Sequence, residues 1–323
     1  MCQYTKNYTI RTPELHNSTV HNIIPNRYLG NFTYGIDPAV LEGHGVNGAS
    51  FCFFVNWDRN FATGRIADHI WIKKELDIHE RLPINLNDPV FMEKFLECEP
   101  LDEVRRKTEL MKRYGLKLSY TIIKKVDVDV PLSNNSKVVI DLKYNGSKFE
   151  EQIFTYATLK RLLVQYTGRG FPMGKPLNWY ETELEKILSL DRSGMIAPFP
   201  GDCDLMLYDN DFRCRAIIEY KKRTSHGAGI SIANQTIDNY RRQDSLKYKR
   251  LELLREYLED RDGSSIPLLI VFYSTANDND IRNIKIEKIS HDLQSQSSEC
   301  FTLTSNDPRT NQSVILDHIM NQV

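Results

Sequence analysis

The chain has no Cys-x-x-Cys pair, no long apolar run and almost no net charge. Its six cysteines are scattered, which excludes a zinc ribbon and a disulfide framework. Cys203 and Cys214 lie within apolar runs and read as small buried residues. The longest apolar stretch, Ile266 to Tyr273, is too short to span a bilayer, and the polar start Met1-Cys2-Gln3-Tyr4 lacks a signal-peptide core. A cytoplasmic, reducing setting without membrane contact is the expectation. A formal charge of −1 means that any nucleic-acid surface must come from local charge separation. Internal repeats are not visible. Phosphate-loop, Gly-x-Ser-x-Gly and His-Glu-x-x-His signatures are missing too, so His44 and His226, each beside glycines, gain no catalytic support.

What the chain does have is two apolar runs edged with charge. Asp204 opens Leu205-Met206-Leu207-Tyr208, and Glu219-Tyr220-Lys221 closes Ala216-Ile217-Ile218. Strand side chains alternate, so Glu219 and Lys221 share a face. Pairing of the two runs as a hairpin would bring Asp204 to that edge. Two carboxylates and an ammonium at the end of a buried sheet are costly in a core. They make chemical sense around a divalent cation and a phosphate.

Composition is ordinary for a globular chain, and 323 residues suggest two domains. Dense glycine and proline between Gly168 and Asn178 place the boundary near residue 170, giving domains 1–170 and 171–323. In the first half, Ser50 to Trp57 reads as a buried strand with Phe51, Phe53, Phe54 and Trp57 in the core. Helices are expected after Asp88, from Leu101 to Arg113 and from Tyr156 to Tyr166. Strands are expected at Leu116 to Val130 and Lys137 to Tyr144. This half is an α+β domain of unknown fold. In the second half, helix Trp179 to Leu190 precedes strands at 195–197, 203–208 and 212–221. A loop at 225–229, a helix at 235–258 and strands at 266–273 and 281–289 follow. Gln294 to Ser298 reads as a surface loop.

The α-β-β-β-α-β order, carrying Asp204 and then Glu219-Tyr220-Lys221, resembles the PD-(D/E)xK nuclease superfamily over residues 178–290. The resemblance implies an α/β restriction-endonuclease-like core with a mixed sheet. It also implies Mg²⁺, with Mn²⁺ as a substitute, held by Asp204, Glu219 and the Tyr220 carbonyl. Lys221 would orient or deprotonate the attacking water. Many members add a carboxylate from the first helix, and Glu181 fits that place better than Glu183 or Glu185. Cys203 stands where the family has proline, and Asp202 is the competing acid.

Between Arg213 and Arg250, ten basic residues face three acids. That excess suits a phosphate backbone, with Lys222, Arg223, Gln235, Tyr240, Arg241, Arg242 and Lys247 as candidate contacts. The expected activity is a Mg²⁺-dependent endonuclease acting on DNA, of restriction or defence type, with RNA as the alternative substrate. A repair or junction-cleaving nuclease, and a nuclease-like fold that binds without cutting, are the competing readings. Cutting both strands takes two centres, which a homodimer would supply. A rival site lies in the first half, where Asp127 and Asp129 precede Asp141-Leu142-Lys143 on paired strands.

Overall fold

The computed structural model describes residues 36–58, 63–74, 88–123, 132–168, 187, 200–223, 229–274 and 280–323, with the side chains of Arg242 and Gln243 outside that description. The chain is mixed α/β and divides into two compact units. One lies within Phe51–Gly201, the other within Phe32–Ser50 and Asp202–Val323.

The N-terminal unit carries five strands of mixed direction in the order β1-β2-β3-β4-β5. Strand β1 (Asn47–Trp57) pairs antiparallel with β2 (Gly64–Lys74), Cys52 opposite Trp71. Helix α1 (Pro38–Gly43) precedes β1 and belongs to the C-terminal unit, whereas α2 (Pro89–Cys98) and α3 (Leu101–Arg113) follow β2. Asp88 caps α2 by accepting from Val90 N at 3.0 Å, with Pro89 in the first turn. Acids open α3 and Lys112 and Arg113 close it, complementing its dipole. The α2–α3 crossover leads to β3 (Lys117–Ile123), parallel to β2. β4 (Lys137–Tyr144) and β5 (Phe149–Thr155) then add antiparallel. Helix α4 (Tyr156–Thr167) buries Leu159 and Leu163 against Cys52, Phe54 and Trp71. Ile187 joins that cluster. The expected aromatic core of β1 is present, since Phe51, Phe53, Phe54 and Trp57 are all buried.

The C-terminal unit likewise carries five strands of mixed direction in chain order, β6 (Gly201–Tyr208), β7 (Cys214–Arg223), β8 (Leu268–Ser274), β9 (Asn283–Ile289) and β10 (Ser295–Thr302). β6 and β7 form the expected antiparallel hairpin. Helix α5 (Ile237–Asp262) crosses over to β8, which lies parallel to β7. β8 is buried along its whole length, as its apolar sequence requires. β9 and β10 add antiparallel, and α6 (Pro308–Met320) follows, packed against α1. His44 serves that packing: its Nδ1 donates to Val40 O at 2.8 Å, and its Nε2 lies 2.9 Å from Asp317 Oδ1.

One expectation needs correction. The serine-rich patch after Gln294 is not a loop: Ser295–Ser298 form the first half of β10, hydrogen-bonded to β9. Its side chains are largely exposed at the sheet edge, so backbone pairing rather than apolar burial specifies it. Cys52, Cys203, Cys214 and Cys300 are free thiols, the first three of them buried. The expected helix 178–190 (except Ile187), strand 195–197 and loop 225–228 fall outside the described residues. No described helix is long and apolar enough to cross a membrane.

Candidate functional site

Helix α5 is fixed over β7 by buried polar contacts along its length. Glu287 on β9 is fully buried and accepts from Ile237 N at 2.8 Å, capping the helix start. Lys285, two residues before it, donates to Ala233 O and Gln235 O in the turn leading into α5. Arg255 is buried against Glu252 and donates to Ile289 O at 2.7 Å. At the far end Asp262 accepts from Cys214 N, the first residue of β7, at 3.1 Å. Gly263 ends the helix in the left-handed region at φ +66°. Residues 240, 244, 247, 248 and 251 share a helical face, and this anchoring turns that face to the β7 edge.

Five charged side chains meet there. Asp204 and Glu219 are both fully buried. The register Leu205 opposite Ile218 sets Asp204 beside Glu219 one residue on. Tyr220 N donates to Asp204 Oδ2 at 2.9 Å, which fixes the carboxylate plane. Lys221 Nζ lies 2.9 Å from Glu219 Oε1 and 2.7 Å from Asp244 Oδ2. Lys247 Nζ lies 2.6 Å from Glu219 Oε1 and 3.8 Å from Asp204 Oδ1. Tyr240 and Tyr248 place their rings 5.5 and 5.2 Å from the Lys221 ammonium.

The lysines are held charged. Burial works against the Lys221 ammonium, but Glu219 and Asp244 outweigh it and push its pKa above the ordinary value. Burial likewise opposes the Lys247 charge, and Asp204 and Glu219 again prevail. Burial, with Glu219 and Asp244 nearby, pushes the Tyr248 phenol up. These five side chains are three carboxylates and two ammoniums. Carboxylate oxygens suit a hard divalent cation, and Lys247 already bridges Asp204 and Glu219 with a positive group. Among the described residues no group of three or more His, Cys, Asp or Glu side chains gathers in metal-binding geometry.

The remaining candidates distribute unevenly. Lys247 is a member of the charge cluster, against Glu219 and Asp204. Tyr240 lies against Lys221 and Phe272. Arg223 is buried and donates to Ser274 Oγ, with Asp280 at 3.7 Å. Gln235 is buried and donates to Ile230 O at 3.3 Å. Arg241 donates to Leu293 O and pairs with Asp238. The strand alternation points Lys222 away from Lys221. Glu181 and the side chain of Arg242 lie outside the described residues. Sequence reasoning did not single out Asp244 or Tyr248 as site residues. The signal was their helical spacing from Tyr240, which the count of basic residues obscured.

In the rival hairpin, β3 and β4 do pair, with Thr121 opposite Asp141. Asp127 and Asp129 lie outside the described residues. Asp141 is buried beside Ser119 and Lys143, and burial raises its carboxyl from 3.8 to about 6 against the pull of Lys143. The folded state therefore binds this proton more tightly than the unfolded chain. Stability falls as pH rises from 3.8 through about 6 and stays reduced above. Asp141→Asn is expected to raise stability at pH 7 by up to about 3 kcal/mol and to change it little at pH 4. Urea unfolding at both pH values measures the difference.

No protein-family model matches this chain, and no curated protein sequence is similar to it. One solved structure, the sex pheromone staph-cAM373 precursor, aligns at 8% identity over 80% of this chain and 76% of that one. Its TM-score of 0.16 is too low to bear on the fold or the site.

Proposed function

We propose that the C-terminal unit is a divalent-cation-dependent nuclease, hydrolysing phosphodiester bonds in DNA, of the restriction or defence type. One observation carries the reading. Asp204 and Glu219 are buried side by side on paired strands, next to a charged lysine two residues along. Burying two carboxylates together is costly unless a cation is to be held there.

Asp204, Glu219 and the Tyr220 carbonyl would hold the cation, Mg²⁺ or Mn²⁺, which when bound would supply positive charge for the phosphoryl oxygens and acidify water. Lys247 would then leave its place between the carboxylates and face phosphate. Lys221, kept charged by Glu219 and Asp244 and held between two tyrosine rings, orients the attacking water and offsets negative charge on the reacting phosphate.

Incubating the full chain with duplex, single-stranded and branched DNA and with RNA tests this. Mg²⁺-dependent cleavage that EDTA abolishes is expected, with duplex DNA cut fastest. Preferential cutting of branched DNA would favour a junction-cleaving role. Binding without cleavage in either Mg²⁺ or Mn²⁺ would defeat the nuclease reading in favour of a non-cutting nucleic-acid binder.

A further inference from the structure

The two units share one topology, step for step. In each, the first two strands form an antiparallel hairpin. A helical crossover then leads to a third strand parallel to the second. A fourth and a fifth strand add antiparallel, and a helix follows. Within each unit the strands lie in chain order. The helix after each fifth strand has a matching partner. In the C-terminal unit α6 packs against α1, from the segment preceding β1. In the N-terminal unit α4 shares its core with Ile187, from the segment preceding β6.

The correspondence reaches single residues. On β7 the face toward the crossover helix carries Glu219 and, two residues on, Lys221. On β2 the face toward the α2–α3 crossover carries Ile72 and, two residues on, Lys74. Asp204 stands beside Glu219 on the first strand of its hairpin. The register Cys52 opposite Trp71 sets Phe51 beside Ile72. Phe51 and Ile72 are both buried. Lys221 meets the crossover helix through Asp244, and Lys247 reaches the centre from the same helix. Lys74 meets the crossover through Glu99, which also pairs with Lys107 of α3. Tyr120 donates to the same Glu99 at 3.4 Å. Both lysines and Glu99 are buried.

We propose that the chain is an internal duplication of one α/β unit. In the N-terminal copy Phe51 and Ile72 replace the strand carboxylates, and the closed Lys74–Glu99–Lys107 triad stands in for the cation centre. The chain then carries one hydrolytic centre and one sealed counterpart that ties its crossover helices to the sheet. The hydrolytic part rests on the nuclease reading above; the duplication rests on topology alone. Glu99 is a single carboxylate already shared by two ammoniums, so it offers no vacant anionic pair to a cation.

Mn²⁺ is the probe, and hydrogen–deuterium exchange of the full-length wild-type chain is the readout. Mn²⁺ is expected to slow exchange several-fold in peptides covering β6 and β7 and to leave β2 and α3 unchanged. Asp204→Asn is expected to remove the effect, and electron paramagnetic resonance of free Mn²⁺ should show saturable binding lost in the same variant. Saturable binding that survives Asp204→Asn, with protection in β2 and α3, would overturn the proposal. Mn²⁺ protection at neither unit would overturn its cation-centre part. Binding at β6 and β7 without any cleavage would instead defeat only the nuclease reading.

Discussion

Glu99→Gln is expected to cost about 3–5 kcal/mol, the scale for stranding a buried charge by removing its partner. The carboxylate lies between the Lys74 and Lys107 ammoniums and pairs with both, and Glu103 stands 3.7 Å from Lys107. An amide would leave two ammoniums close together in a dry pocket, facing a neutral group. Burial by itself would raise the Glu99 carboxyl, but Lys107 and Lys74 reverse this and hold it below the ordinary 4.5. Its folded pKa is thus depressed, so its stabilisation is complete above pH 4.5 and disappears as pH falls through the lower folded value. Acid titration of unfolding should show this loss in the wild type and not in Glu99→Gln. Replacing all three residues by apolar ones of similar volume, Lys74→Met, Glu99→Leu and Lys107→Met, is expected to cost far less than Glu99→Gln alone. An equally large loss would mean that the triad contributes more than mutual neutralisation.

Asp204→Asn is expected to reduce cleavage by about 10²–10³-fold or more, the scale for losing a group that organises charge at the reacting centre. Folding should survive it. The amide oxygen can still accept from Tyr220 N, and Lys247 keeps Glu219 at 2.6 Å. Lys221→Ala removes the ammonium instead and is expected to cause a comparable loss, with Lys221→Arg recovering only part of it. Arginine keeps the charge but cannot occupy the same compact place between Glu219 and Asp244. Single-turnover cleavage with thermal melting of each variant separates lost chemistry from lost fold. Full activity in Lys221→Ala would remove Lys221 from the mechanism.

Much of the C-terminal unit could be read from its residues because its signals are local. Apolar runs of strand length, charge at their ends and a long amphipathic stretch each name one element. The Asp204 and Glu219–Lys221 edge follows from strand parity alone. What was not legible depended on tertiary placement. Arg223 and Gln235 look like phosphate contacts in a basic stretch, but the fold uses them as buried partners of Ser274 and Ile230. Lys247 looks like a surface cation until α5 is anchored by Glu287, Arg255 and Asp262. β10 is a run of serines whose strand identity comes from β9. The duplication was hidden for a similar reason. Backbone pairing preserves a topology through almost any apolar substitution, so Phe51 and Ile72 can replace acids without leaving a repeat in the letters.

A crystal structure of the chain with Mn²⁺, using the metal's anomalous signal, tests the central claim most directly. Occupancy between Asp204 and Glu219, with the Lys247 ammonium moved from its 2.6 Å contact with Glu219, is the expected result. Lys247 still bridging the two carboxylates at saturating Mn²⁺, with no anomalous peak beside them, would contradict it.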